Sequence, residues 1–188
     1  MTAYINANET IEIPLSKGKL ILMFIGSLLF VGAGFWFIKA PETFTQTIFK
    51  PSPMLIIIVG YALVIFFGTC ATFIFRKLFD KKAGLIIDRE GIHDNSSGVS
   101  AGFIPWSDIS NISTIEISRQ KLIMIEVSNP DDYINRQTNF ISKKASAINH
   151  KMYGAPISIS ANSLKYKFDD LYYTLRNRWQ QSTGEPGL

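Results

Sequence analysis

The chain has 188 residues with a formal net charge of +4, and its Lys and Arg residues form no compact run. A charge so dispersed argues against a nucleic-acid groove, and we expect it to follow from membrane topology instead. A lone Cys70 excludes an internal disulfide, and His93 and His150 do not provide the spacing of a zinc or haem site. We therefore predict no metal, no cofactor and no nucleic-acid partner.

Residues 1–19 are predicted to be a tail that contains one short strand. Thr10 to Ile13 alternate polar and apolar side chains, which is the period of a half-buried strand. Pro14 cannot donate a hydrogen bond to a ladder, so the strand is expected to end there and to lie at a sheet edge.

Residues 20–82 are predicted to form a transmembrane helical hairpin. Two uncharged apolar segments, Leu20–Ile38 and Met54–Phe75, have 19 and 22 residues. At about 1.5 Å per residue, each spans the ~30 Å hydrocarbon core of a bilayer. The first segment begins too late for a signal peptide and no cleavage site follows it, so a retained helix is favoured.

Small residues and prolines predict how the two spans pack and where they end. Small residues permit close backbone approach between membrane helices, and Gly32 is predicted to approach Gly60 or Gly68. The connection between the spans contains prolines that argue against a continuous helix: Pro41, Pro51 and Pro53.

The charges at the ends of the spans predict the orientation of the hairpin. Lys39 and Lys50 flank the connection, whereas six basic residues flank the side of both termini: Lys17, Lys19, Arg76, Lys77, Lys81 and Lys82. The positive-inside rule therefore places both termini in the cytoplasm. The strand at Thr10–Ile13 then shares a side of the membrane with residues 83–188, and we predict that it pairs with their sheet.

Residues 83–188 show the two-residue period of strands and are predicted to form a soluble α+β domain. Gly84–Asp88 and Ile92–Asp94 indicate a hairpin. The loop Asn95–Gly102 lacks a Lys and does not enter a helix, so a hairpin loop is favoured over a phosphate cradle. Further strands are predicted at Asp108–Arg119 with a bulge near Asn111, at Lys121–Val127 and at Ile157–Ser160.

An amphipathic helix is predicted at the end of the domain, capped by Asn162 or Ser163 and fraying from Gln181 onward. One face carries the apolar residues that would cover a sheet: Leu164, Phe168, Leu171, Leu175 and Trp179. Trp179 and Trp106 are predicted to be anchors of the core rather than ligand contacts.

A second helix is predicted between the strands. Asn129 suits the N-cap and Pro130 the first turn, and apolar residues then recur at helical spacing as far as Ile148. Two interpretations stay open, because this helix could dock on the domain or contact the membrane surface or a partner. The basic residues that are candidates for such surface contacts are Arg76, Lys77, Lys81, Lys82, Arg136, Lys143, Lys144 and Lys151.

The order of these elements resembles a known arrangement. A strand hairpin, the segment Ile104-Pro105-Trp106-Ser107-Asp108-Ile109, two strands and a terminal helix resemble pleckstrin-homology-like (PH-like) domains. The segment Ile13-Pro14-Leu15-Ser16-Lys17 makes the whole chain similar to small, largely uncharacterised bacterial inner-membrane proteins with a two-helix hairpin. The resemblance implies a small antiparallel PH-like barrel or sheet capped by the C-terminal helix, at the cytoplasmic face of the inner membrane.

The sequence provides no strong local signal for a nucleophile–base pair or a carboxylate pair, so we predict that the chain is not an enzyme. We expect a binding or assembly module whose partners are the lipid bilayer and either an unknown protein or a second copy of the chain. The alternative is an immunity protein that neutralises a toxin acting at or across the membrane.

Overall fold

The structure, a computed structural model, describes residues 9–45 and 51–184. The predicted tail at residues 1–8, the chain end beyond residue 184, and Lys50 with the rest of residues 46–50 lie outside the described residues. The chain forms two compact units. The helical hairpin comprises Lys17–Lys81, and the sheet domain comprises the residues up to Ser16 together with those from Lys82 onward.

The helical hairpin consists of the two predicted spans, which form the helices α1 (Lys17–Lys39) and α2 (Pro53–Leu78). Both are longer than the uncharged segments, because each continues into flanking charged or polar residues. Ser52 caps α2 by accepting a hydrogen bond from the amide of Leu55. As the prolines predicted, α1 stops before the connection, where a single 3-10 turn covers Pro41–Phe44.

The two helices are in close contact at a pair of glycines. A Cβ added to Gly34 would lie 2.9 Å from the carbonyl oxygen of Gly60, so neither position has room for a side chain. The prediction that Gly60 marks the contact is confirmed. The predictions for Gly32 and Gly68 are wrong, since a Cβ at either would meet no atom within 4 Å. Spacing alone did not reveal which face of α1 turns toward α2.

The sheet domain begins with a four-stranded antiparallel sheet in the order β1-β2-β3-β4. Strand β1 pairs with β2, so that Ile11 lies opposite Ile87 and Ile13 opposite Leu85. The predicted addition of the N-terminal strand to the later sheet is therefore confirmed. The strands are β1 (Ile11–Ile13), β2 (Leu85–Ile87), β3 (Gly91–Asp94) and β4 (Gly102–Pro105).

A second, three-stranded antiparallel sheet has the order β5-β6-β7. Its register shifts between Ile109 and Asn111, which confirms the predicted bulge. The turn between the first two strands places Ser118 and Arg119 at φ values of 50° and 66°. The strands are β5 (Ile109–Ile117), β6 (Gln120–Val127) and β7 (Ile157–Ile159).

The two sheets give the predicted α+β class, but across the described residues no ladder joins them into a closed barrel. The core of the domain consists of apolar side chains that are almost completely buried. They come from both sheets, from the N-terminal segment and from the last helix: Ile13, Leu85, Ile87, Ile92, Ile104, Ile123, Ile125, Ile159, Leu164, Leu171 and Leu175.

The single helix predicted after Asn129 is wrong, because two helices occupy the segment: α3 (Pro130–Asn135) and α4 (Phe140–Tyr153). Asn139 starts the second helix by accepting a hydrogen bond from the Ser142 amide at 2.7 Å. Asn129 occupies the predicted N-cap position but makes no side-chain cap bond there. A second capping residue inside the apolar pattern thus divides the predicted helix.

The last helix, α5 (Phe168–Thr183), begins later than predicted. Ala161–Ser163 form a 3-10 turn, so Asn162 and Ser163 do not cap it. The predicted fraying from Gln181 is also wrong within the described residues, since α5 continues to Thr183. Leu171 and Leu175 are fully buried, as the apolar stripe predicted.

Candidate functional site

Two adjoining open recesses on the sheet domain share Gly102 and Phe103 of β4. The larger has a volume of about 390 Å³ and is lined on its polar side by Glu12, Lys82 and His93. The smaller, of about 320 Å³, is lined by residues 100–103 and by residues 136–138 after α3. Phe103 is exposed between them and provides their shared apolar surface.

An oriented imidazole lies beside Phe103. The His93 ring stacks on the Phe103 ring with centroids 4.5 Å apart, and its Nε2 lies 3.1 Å from Oδ2 of Asp88. The other Asp88 oxygen accepts hydrogen bonds from the amides of Glu90 and Gly91, which hold the β2–β3 turn. The residues that line the larger recess include no Ser, Thr or Cys that this imidazole could activate.

Arg136 is a fixed cation at the rim of the smaller recess. Its guanidinium lies 3.8 Å from the centre of the Tyr133 ring and donates a hydrogen bond to the carbonyl oxygen of Phe103 at 2.8 Å. A guanidinium has five N–H donors, so others remain to bind an anionic or carbonyl group. Arg136 was predicted as a membrane-surface or partner contact, and the structure positions it against the Tyr133 ring.

Tyr133 is the buried residue on which the Arg136 guanidinium packs. It is fully buried, and its hydroxyl donates to Oδ2 of Asp108 at 2.8 Å. Burial raises the pKa of the Tyr133 hydroxyl well above its ordinary value, and the neighbouring Asp108 carboxylate raises it further. The phenol therefore stays neutral and acts as a structural donor rather than as an acid or base near pH 7.

The loop between β3 and β4 is held from inside by a buried carboxylate. Asp94 accepts hydrogen bonds from the amide and hydroxyl of Ser96 at 2.9 and 2.6 Å and from the Ala101 amide at 2.9 Å. These amides point toward a protein carboxylate, so they are not presented to an anionic ligand. The segment is a hairpin loop, as predicted, and it sets the position of Gly102 and Phe103.

Both predicted tryptophan anchors contact backbone. Trp106 is 5% exposed and donates from its indole N–H to the carbonyl oxygen of Asp88 at 3.0 Å. Trp179 is half-buried and donates to the carbonyl oxygen of Ile109 at 3.2 Å, which joins α5 to the start of β5.

The eight predicted basic contact residues are divided between the two units, and their role as contacts stays a prediction. Lys77 is buried in the helical hairpin, where it forms an ion pair with Asp80 at 3.3 Å, whereas Arg76 and Lys81 are exposed. Lys82 and Arg136 belong to the two recesses around Phe103. The remaining residues are exposed along α4: Lys143, Lys144 and Lys151.

Helix α4 provides a feature that sequence reasoning missed. It docks on the domain, but it does so through serines: Ser142 and Ser146 are each 2% exposed. Three of the apolar residues whose spacing predicted a helix here are exposed instead, namely Phe140, Ile141 and Ile148, and so is Met152. A signal was present, since Ser142, Ser146, Asn149 and Tyr153 recur at helical spacing as a small and polar stripe.

No protein-family model, curated protein or solved structure significantly matches the chain. The resemblance to PH-like membrane proteins and the immunity-protein alternative therefore stay predictions. Within residues 9–45 and 51–184, no three His, Cys, Asp or Glu side chains are close enough to hold a metal ion.

Proposed function

We propose that the chain is an integral protein of the bacterial inner membrane, whose helical hairpin spans the bilayer and whose sheet domain is a non-enzymatic binding module in the cytoplasm. The observation that carries this proposal is the exposed apolar surface of α1 and α2. In their most apolar windows only 11% and 17% of the residues are buried. Large side chains such as Leu22, Leu29 and Ile65 are about two-thirds exposed or more.

Such a surface needs lipid around it. Exposed apolar area costs on the order of 25 cal/mol per Å² in water, and a core helix of a soluble protein would bury most of these side chains. The helices have 23 and 26 residues. At about 1.5 Å per residue both exceed the ~30 Å hydrocarbon core. The glycine contact between them is of the kind that lets membrane helices associate.

The polar ends of the hairpin support the proposed orientation. Lys17 donates from Nζ to the carbonyl oxygen of Leu78 at 2.5 Å, where α2 has an unsatisfied C-terminal carbonyl. Lys17 lies at the end of α1 that adjoins the N-terminus, and Arg76 and Lys77 lie at the end of α2 that leads to the sheet domain. The positive-inside rule assigns this basic end to the cytoplasm.

The arrangement of the sheet domain supports a PH-like module. The β2–β3 hairpin, the two long strands β5 and β6 and the terminal helix α5 follow one another in the order on which the resemblance rests. We infer that its binding surface is the region around Phe103. An exposed Phe103 ring flanked by a fixed Arg136 combines two residue types that are enriched in protein interfaces, so the favoured partner is a protein.

Fusion proteins test the membrane topology. Alkaline phosphatase fused after Pro51 is expected to be active in the periplasm, whereas fusions at Ala7 and Gly184 are expected to be inactive. The opposite pattern would overturn the orientation, and activity at none of the three sites would contradict the hairpin.

Site-specific photo-cross-linking in intact membranes tests the binding surface. A photoreactive residue at Phe103 is expected to capture one discrete protein, and Arg136→Ala is expected to weaken that capture. The same photoreactive residue at the exposed Glu116 in β5 is the matched control. Equal yields at the two positions would show that the region around Phe103 is not the binding surface.

A further inference from the structure

Helix α4 is held on the sheet domain by a polar side. The Ser146 hydroxyl donates to the carbonyl oxygen of Pro156 at 2.7 Å, and the Ser142 hydroxyl donates to that of Gly98 at 2.9 Å. Asn149 reaches the Ser158 hydroxyl of β7 at 3.2 Å. Because both serines are buried, these bonds fix which side of the helix faces outward.

The outward side is apolar. Phe140, Ile141 and Met152 are 77%, 71% and 63% exposed, and Ile148 is 45% exposed. With about 100° of rotation per residue, the four side chains fall within a sector of roughly 120°. An amphipathic helix normally packs on its own domain through such an apolar stripe, but here the stripe is exposed.

The charges that α4 itself carries are all of one sign. The sequence of α4 contains no Asp or Glu, and Lys144 and Lys151 project within the same sector as the apolar side chains. The Lys144 ammonium lies 6.0 Å from the centre of the Phe140 ring. Lys side chains can lay their apolar stems along such a surface while the ammonium stays at a polar boundary.

We propose that this face of α4, formed by Phe140, Ile141, Ile148 and Met152 with Lys144 and Lys151, binds the surface of an anionic lipid bilayer. The apolar side chains enter the boundary between headgroups and acyl chains, and the two ammonium groups pair with lipid phosphates. The proposal rests on the proposed function, in which the helical hairpin of the same chain spans that bilayer.

The charge favours lipid over the other occupants of an apolar face. A second copy of α4 would bring lysine against lysine without a carboxylate on the helix to compensate, and protein interface cores are depleted in Lys. Cytoplasmic leaflets carry anionic lipids, and a helix with Phe and Ile on one side and Lys beside them is typical of interfacial binding. Covalent attachment to a spanning hairpin provides a high local concentration, so a small apolar face is sufficient.

A fluorescent probe on the full-length chain tests the proposal. In a Cys70→Ser background, Ile141→Cys or Met152→Cys is labelled with an environment-sensitive dye, and the protein is reconstituted into phosphatidylcholine vesicles with or without phosphatidylglycerol. With the anionic lipid, we expect a blue-shifted emission and quenching by brominated acyl chains. Glu116→Cys, labelled in the same way on the exposed part of β5, is the matched control and is expected to remain in water.

Removal of the charges gives the second part of the test. Lys144→Gln with Lys151→Gln should lower the bound fraction of the Met152 probe, because each lysine contributes about fivefold to binding at an anionic surface. High salt should act in the same direction. Water-like emission at both α4 positions in anionic vesicles would overturn the proposal, and so would a shift that is equal with and without phosphatidylglycerol. Disulfide-linked dimers formed through Ile141→Cys would instead identify a second copy as the occupant.

A probe in α2 separates this result from the proposed function. Phe66→Cys, labelled in the same background, should be quenched by brominated lipid wherever the hairpin is inserted. Quenching at position 66 without quenching on α4 would contradict only the lipid-binding face. Absence of quenching at position 66 would contradict the membrane-spanning function itself, and with it the proposal for α4.

Discussion

The backbones of Gly34 in α1 and Gly60 in α2 are in direct contact. A Cβ added to Gly60 would lie 2.9 Å from the carbonyl oxygen of Gly34 and 2.8 Å from Cγ1 of Ile38. Lipid tails are as apolar as the helices, so association depends on close packing rather than on the hydrophobic effect. This glycine pair is therefore the position at which the hairpin is most sensitive to added volume.

Gly34→Leu is expected to separate the two helices and to destabilise the hairpin by about 1–3 kcal/mol, the usual cost of overpacking. Gly32→Leu is the matched control, because a Cβ added there meets no atom within 4 Å. Thermal unfolding in detergent, followed by circular dichroism, measures the difference. Equal midpoints for the two variants would show that α1 and α2 do not associate at this contact.

The turn between β5 and β6 uses residues that are poorly suited to its backbone. Ser118 and Arg119 both have positive φ, the conformation of a type I′ turn, which normally carries Asn-Gly. Ser118→Asn with Arg119→Gly is expected to stabilise the sheet domain by about 1 kcal/mol, because the left-handed region costs other residues that much. Chemical denaturation measures the change. A loss of stability would mean that the Arg119 side chain makes a stabilising contact that outweighs its backbone strain.

The sequence predicted six of the seven described strands, all except β4, because their signals are local. The alternation of polar and apolar residues located β1. Turn residues located the loops before and after β3, which begins at Gly91. The bulge at Asn111 followed from the change of parity among the isoleucines of β5. The break between α3 and α4 was missed because Asn139 lies inside an apolar helical pattern and only its hydrogen bond shows that it starts a new helix.

The region around Phe103 was not predictable, for a different physical reason. His93 and Arg136 are far apart in sequence, and only the β3–β4 pairing and the end of α3 bring both to Phe103. The sequence left open which side of α4 faces the domain, although large apolar residues usually take the buried side of a helix. Here two buried serine hydroxyls, each with a carbonyl partner, determine that side instead.

Trp106→Ala is expected to destabilise the sheet domain by about 3–5 kcal/mol, since it empties a buried site and leaves the Asp88 carbonyl without its indole donor. Trp106→Phe keeps most of the apolar volume and should cost less. Trp179→Ala should fall at or below the lower end of that range, because Trp179 is only half-buried. Limited proteolysis of the detergent-solubilised protein ranks the three variants. A normally folded Trp106→Ala protein that no longer cross-links its partner would assign Trp106 to the binding surface.

The buried phenol of Tyr133 is expected to make the stability of the folded chain depend on pH in the alkaline range. Burial raises the pKa of the folded-state phenol far above its unfolded value of about 10. The phenol contributes its full stabilisation below pH 10, where it is neutral in both states. Above pH 10, ionisation of the phenol lowers the free energy of the unfolded chain but not that of the folded chain. The stability of the wild type therefore falls by about 1.4 kcal/mol per pH unit from this group.

Tyr133→Phe removes that dependence together with the hydrogen bond to Asp108. At pH 8 the wild type is expected to be more stable than the variant by about 1 kcal/mol, the net value of one hydrogen bond. Near pH 11 ionisation of the unfolded wild type offsets this advantage, so the two free energies of unfolding should meet. Tyr173→Phe, at an exposed position, is the control and should run parallel to the wild type from pH 8 to 11. Denaturant titrations followed by tryptophan fluorescence measure all three proteins. A constant difference between wild type and Tyr133→Phe over this range would show that the Tyr133 hydroxyl ionises as readily in the folded chain as in the unfolded one.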